Sequence, residues 1–342
     1  GGALSYDLQL PTSGLQGRDS FVLLLRTPLG AIDIPSNMLS DMTANAAHAS
    51  IRIAQGSAAN LDSAASERIG DRPVLELQVL VGDAPIDWNN PVAPVTVFVP
   101  YAPTAEERGN PDAIVVWHVA DSGNATPIPN GRYDAASGTV VFRTTHFSAF
   151  AVAYVDATFE DLNGVPWAKQ AIDAMAARGV VRGTSESGFE PAAPIGRADF
   201  VALLVRALEL QGTGDAGDTG GTGAMFADVE AAAYYYREVA IAKELGIALG
   251  FGDGTFRPGD TISRQDMAVL AARALAAAGK SLEAGDAATA YPDASSVADY
   301  ARDSVAALIQ AGIVLGKNGA IAPHDPLTRA EAAVILYRAW KR

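Results

Sequence analysis

Over the first part of the chain apolar and polar positions alternate. Tyr6, Leu8 and Leu10 alternate with Asp7 and Gln9, and Leu75, Leu77 and Val79 with Glu76 and Gln78. Val95, Val97, Val99 and Tyr101 keep the same period, and Ile114 to Val119 is a further strand. A period of two places one face of a strand against a core. Asn130-Gly131 and Ser137-Gly138 are turn signals, the second leading into Thr139–Phe142. Residues 1–156 are expected to form an all-β sandwich of about seven to nine strands, with a short helix within 37–47.

From Phe159 onward the period becomes helical and the composition alanine-rich. Phe200, Leu203, Leu204, Ala207 and Leu208 form one stripe, Met267, Leu270, Ala271, Ala274 and Leu275 a second. Ala332, Ile335, Leu336, Ala339 and Trp340 form a third, so each helix has an apolar side for its two siblings. The stripes follow Ile195-Gly196-Arg197-Ala198-Asp199, Ile262-Ser263-Arg264-Gln265-Asp266 and Leu327-Thr328-Arg329-Ala330-Glu331, whose arginines are 67 and then 65 residues apart. Phe159-Glu160-Asp161, Phe226-Ala227-Asp228 and Tyr291-Pro292-Asp293 keep the same two steps. Two landmarks in phase define an internal repeat.

Each repeat is expected to hold two helices. The first opens around Trp167, Tyr234 or Tyr300 and stops at Gly179, Gly246 or Gly312, which suit the left-handed position after a helix. A loop with Gly183, Gly250 or Gly316 follows, then an extended piece ending at Pro191, Pro258 or Pro323. The repeats span 157–211, 224–280 and 281–342, with a flexible Gly-rich linker at 212–223.

Thr328 and Glu331 form a capping box, and Ser263 with Asp266 a shorter version; Gly196 has no capping side chain. Capping leaves the arginine unexplained, since a cation in the first turn opposes the helix dipole by roughly 0.3–1 kcal/mol. Two readings stand open. One is an ion pair with Asp161, Asp228 or Asp293 of a neighbouring repeat. The other is an anion-binding corner where guanidinium and free helix N–H groups meet a carboxylate or phosphate.

Composition narrows the chemistry. The chain has 342 residues, no cysteine and a net charge of −14, which excludes disulfides and argues against nucleic acid as a partner. No apolar run reaches the ~20 residues of a membrane span. The opening Gly1-Gly2-Ala3-Leu4 carries no signal peptide and reads as a piece of a longer protein. His48, His118, His146 and His324 are scattered, with no metal spacing and no nucleophile elbow, so no metal, cofactor or catalytic residue is expected. Phe251-Gly252-Asp253-Gly254-Thr255 lacks the acidic ladder of a calcium loop and reads as a turn.

His146-Phe147-Ser148, placed in the last strand, resembles the self-cleavage site of nucleoporins, where a serine hydroxyl attacks the preceding carbonyl. Strand alternation alone instead turns Phe147 inward and the polar pair outward.

The phased landmarks resemble three tandem S-layer homology domains. Phe159-x-Asp161 with Trp167-Ala168, the run Gly179-Val180-Val181-Arg182-Gly183 and the closing Thr328-Arg329-Ala330-Glu331 carry the likeness, and residues 1–155 look like the β module that often precedes such repeats in Gram-positive surface proteins. The resemblance implies an α+β multidomain chain: an all-β sandwich, then a mainly α pseudo-threefold unit with a central three-helix bundle. It implies a secreted, non-enzymatic module that binds a pyruvylated, anionic cell-wall polysaccharide between repeats and tethers an upstream cargo domain. By position, the anion-binding residues would be Arg197, Arg264 and Arg329, beside Asp161, Asp228 and Asp293. The aromatic floor would be Trp167, Tyr234 and Tyr300, and Gly183, Gly250 and Gly316 would admit the sugar closely. A self-assembling S-layer lattice protein and a hydrolase in the β domain are the alternatives.

Overall fold

The computed structural model describes residues 4–15, 21–40, 47–57, 61–212 and 225–342. The chain divides into two compact units, Gly1–Ala157 with Ala177–Gly179, and Thr158–Ala176 with Val180–Arg342.

The first unit contains strands β1 (Ser5–Pro11), β2 (Val22–Arg26), β3 (Ala31–Pro35), β4 (His48–Gln55), β5 (Val74–Val81) and β6 (Ala84–Ile86). It continues with β7 (Val95–Pro100), β8 (Ile114–Val119), β9 (Ala125–Ile128), β10 (Arg132–Asp134), β11 (Thr139–Thr144) and β12 (Ala149–Tyr154). Two short helices, α1 (Ser63–Ile69) and α2 (Ala105–Gly109), interrupt them. One sheet runs β1-β4-β5-β12-β8-β9 with β6 beside β5, the other β10-β11-β7-β3-β2. Their facing side chains, Ile51, Leu77 and Val79 among them from one sheet and Ile32, Ile34 and Val97 from the other, share one core.

Twelve strands among the described residues exceed the seven to nine expected, because five of them span five residues or fewer. Strands that short show no readable period. Residues 36–40 form a turn where a helix was expected, and 41–46 lie outside the described residues. The expected 212–223 linker, apart from Gly212, also lies outside them. His146-Phe147-Ser148 precedes the last strand: His146 bridges Asn89, and the β12 ladder begins at Ala149.

The second unit holds six α-helices among its described residues: α3 (Pro166–Ala177), α4 (Arg197–Ala207), α5 (Tyr236–Glu244), α6 (Arg264–Ala277), α7 (Arg302–Gln310) and α8 (Arg329–Lys341). Gly179, Gly246 and Gly312 adopt φ of +67°, +68° and +70°, the conformation their positions call for. Helices α5 and α7 start two residues after Tyr234 and Tyr300, which leaves both tyrosines before the helix.

Helix α4 packs against α6 and α8, and all three are buried on more than the predicted stripe. Three backbone hydrogen bonds close the assembly into a ring. Ile195 N–H donates to Leu327 O (2.9 Å), Leu327 N–H to Ile262 O (2.9 Å) and Ile262 N–H to Ile195 O (3.2 Å). Each residue lies two before a helix-opening arginine, so the ring sets three helix starts around one pseudo-threefold point.

Candidate functional site

Each helix start is seated on the extended piece of the next repeat in the cycle. Arg197 N–H donates to Asp260 O (2.8 Å), Arg264 N–H to Asp325 O (3.0 Å) and Arg329 N–H to Ala193 O (2.9 Å). The following residues, Ala198, Gln265 and Ala330, donate to Pro258 O, Pro323 O and Pro191 O. The third N–H is capped by Ser263 in α6 and by Thr328 in α8, while Gly196 supplies no side-chain cap. The first two N–H groups of each helix, and the third in α6 and α8, are thus already bonded, which corrects the expectation of free donors at an anion corner. The same carbonyl oxygens explain the arginine. They place negative partial charge at the helix start, where a cation would otherwise be opposed.

The guanidinium groups have three different fates. Arg264 Nε donates to Ile321 O (2.8 Å) and its NH1 pairs with Glu331 Oε1 at 2.8 Å, with side chains only 5% and 13% exposed. Arg329 donates to Phe189 O (2.9 Å) and Arg182 O (2.8 Å) and lies over the Phe189 ring. Arg197 sits between the Phe251 and Phe256 rings, and its buried Nε has no hydrogen-bond partner among the described residues. Burial pushes the Arg197 and Arg329 pKa values down, opposed by Asp266 near the first and Asp199 near the second.

Asp161, Asp228 and Asp293 form no ion pair with these arginines, which corrects the other reading. Each carboxylate accepts two successive backbone N–H groups instead: Phe189 and Glu190, Phe256 and Arg257, Ile321 and Ala322. The second of each pair, Glu190, Arg257 or Ala322, has φ of 56°, 58° or 52°. The aspartate holds a left-handed residue in place, a conformation that disfavours a side chain by roughly 1–2 kcal/mol. Backbone donors hold the Asp161 carboxyl below the usual range; at Asp293 burial acts upward, yet the two donors leave it lowered.

Gly183, Gly250 and Gly316 have a packing reason independent of any ligand. A Cβ there would meet the ring of Phe159, Phe226 or Tyr291 at 2.8, 2.4 or 2.6 Å. The landmark aromatic of each repeat rests on the landmark glycine.

Trp167, Tyr234 and Tyr300 are 58%, 69% and 59% exposed, so none is a core residue. Three junctions result, each with one group from every repeat. Tyr234 donates a short hydrogen bond to Asp199, near Arg329. Tyr300 donates to Asp266 (2.7 Å), near Arg197. Their rings are exposed but their hydroxyl ends are turned in. That burial, with the adjacent carboxylate, pushes both pKa values up to about 12.

The third junction is different. Trp167 has no hydroxyl, and Glu331 is one methylene longer than its counterparts, so this carboxylate reaches Arg264. A cavity of about 420 Å³ lies here, lined by Trp167, Arg264, Gly316, Lys317, Glu331 and Arg338 with the apolar Val334 and Ile335. Arg338 escaped the sequence reading. Arg206, Arg273 and Arg338 recur at the same 67 and 65 steps, a signal hidden behind the better-marked helix openings.

In the β unit, His118 and His146 come together with ring centroids 4.8 Å apart, and His118 Nε2 lies 3.0 Å from Ser148 Oγ. Phe147 is buried against Trp88. Among the described residues no three His, Cys, Asp or Glu side chains gather as a metal site.

The S-layer homology domain family matches residues 158–201, 226–268 and 290–333. The chain carries three S-layer homology domains. It is 34% identical over 68% of its length to an amylopullulanase of Thermoanaerobacterium thermosulfurigenes, covering 12% of that protein. It is 29% identical over 60% of its length to the surface-layer 125 kDa protein of Lysinibacillus sphaericus, and 27% over 56% to the S-layer protein sap of Bacillus anthracis. It covers 17% and 22% of those two. The three domains supply the six helices, the closed ring and all three junctions.

Proposed function

We propose that the S-layer homology unit anchors its polypeptide non-covalently at the cell surface by holding a saccharide of an anionic cell-wall polymer in the Trp167 junction. The observation that carries this is the cavity itself. It joins an exposed indole face, apolar ground at Val334 and Ile335, and cations at Arg264, Lys317 and Arg338. An indole suits the C–H face of a pyranose, and guanidinium suits a carboxylate such as a pyruvate ketal. At the other two junctions the tyrosine hydroxyls already engage the acidic side chains, so the Trp167 junction is the primary site.

The chain has a net charge of −14, so long-range steering repels an anionic polymer and affinity is local. The relatives are several times longer than this chain and include named glycosidases, which suits a module that tethers cargo. Three of the relatives are named as surface-layer or S-layer proteins, and ordered sheets of the purified protein in negative-stain micrographs would favour the lattice reading instead. The deciding experiment is sedimentation with purified wall sacculi before and after the accessory polymer is stripped. Co-pelleting with intact sacculi alone is expected; equal pelleting with both would reject polymer binding.

A further inference from the structure

We infer that Arg338, rather than the helix-opening Arg264, is the residue that meets the anionic substituent in the Trp167 junction. This rests on the wall-binding reading above and assigns the charge contact within it. Three cations line the cavity, and two are already matched. Arg264 is paired with Glu331 at 2.8 Å and Lys317 with Asp325 at 3.0 Å. Arg338 donates NH1 to the Ile313 carbonyl (3.0 Å) and has no carboxylate partner among the described residues.

Glu331 strengthens the argument by its own charge. Its Oε1 holds Arg264, and its Oε2 accepts from the Thr328 backbone and hydroxyl. An anion brought to Arg264 would have to displace or face that carboxylate. The geometry of α8 offers an alternative. Glu331, Val334, Ile335 and Arg338 all line the cavity, and their spacing puts them on one helical stripe. Arg338 therefore stands two turns, or about 10 Å, along the axis from Glu331, with apolar ground between. A sugar ring laid across that ground and Trp167 puts its carboxylate at the Arg338 end, away from the like charge.

The experiment uses the full chain and wall polymer released from purified sacculi, intact or after mild acid removal of ketal-linked pyruvate. Wild type, Arg338→Gln and Arg338→Lys are compared by calorimetry, with circular dichroism as the folding check. Wild type is expected to bind intact polymer and to lose about ten- to a hundredfold on the pyruvate-free form. Arg338→Gln should show that loss already on intact polymer and little more on the stripped one, since both changes remove one contact. Arg338→Lys should recover part of the affinity. Wild-type affinity for intact polymer in a folded Arg338→Gln chain overturns the assignment if wild type still distinguishes the two polymers. Failure of wild type to bind either polymer overturns the wall-binding reading, and this one with it.

Discussion

Among the helix-opening arginines of this chain, Arg264 alone carries an ion pair among the described residues, because Glu331 reaches it where Asp199 and Asp266 instead accept from tyrosine hydroxyls. Removing one partner of a buried pair costs about 3–5 kcal/mol, through the charge left behind. Arg264→Ala is therefore expected to destabilise the repeat unit by that order, read as a lower urea midpoint. Arg329→Ala, which strands no carboxylate, should cost less. A binding defect in Arg264→Ala would thus report folding as much as contact. Trp167 is the cleaner probe, since its ring is 58% exposed. Trp167→Ala should leave the unfolding free energy from urea titration within about 0.5 kcal/mol of wild type while abolishing co-pelleting with sacculi; retained pelleting would remove the indole from the site. The tyrosine latches have their own readout. Tyr101, Tyr234 and Tyr300 are pushed up to about 12, so these three of the ten tyrosines should ionise late in an alkaline absorbance titration. Tyr234→Phe with Tyr300→Phe should remove two of the three, leaving Tyr101 as the latest, with Tyr154 also raised by its own burial.

At the level of elements, each repeat is organised by an aspartate clamp, a capped helix start and a left-handed residue, and these are separable. The Ala322 backbone has φ of 52°, so Ala322→Gly relieves about 1–2 kcal/mol of local conflict against roughly 0.5–1 kcal/mol of added chain entropy. A small gain in the thermal midpoint is expected, where Thr328→Ala should lose about 1 kcal/mol with its cap. A loss on Ala322→Gly would mean that the Asp293 clamp leaves no strain there. Caps, stripes and C-terminal glycines were legible in the sequence because each is set by residues within a few positions of one another. The junctions were not legible. Whether Arg264 meets a landmark aspartate or Glu331 depends on three repeats brought together by a ring of backbone bonds, and the sequence holds no local mark of that. The purpose of the aspartates was hidden likewise, because their partners lie 28 and 29 residues on and are backbone groups. Short strands such as β6 and β10 escaped for a simpler reason: three residues cannot display a period.

For the whole molecule, acid should act on the two units in different pH windows. In the β unit, burial lowers the pKa values of His118 and His146, and at His146 the neighbouring His118 adds to it. A depressed histidine is neutral in the fold and protonates more readily in the unfolded chain. Its stabilisation is therefore present above the unfolded value of about 6.5 and is lost as pH falls through the folded value. In the repeat unit the lowered carboxylates include Asp161, Asp253 and Asp293, whose stabilisation is present above about 4 and lost only below it. Hydrogen exchange read by mass spectrometry at pH 7.5, 5.5 and 3.5, corrected for intrinsic rates, can assign each loss to its unit. Protection in β8 and β12 should fall first, near pH 5.5, and that in α4, α6 and α8 only at the lowest pH. His118→Gln with His146→Gln should flatten the first step and leave the second; an unchanged first step would detach it from the histidine pair. The intact mass from the same samples tests the Ser148 chemistry. Phe147 and Ser148 are absent from the residues with left-handed backbone, so no strain of that kind drives an acyl shift, and the uncut mass is expected. Two fragments split between Phe147 and Ser148 would instead make His118, 3.0 Å from Ser148 Oγ, the base of a self-cleaving pair.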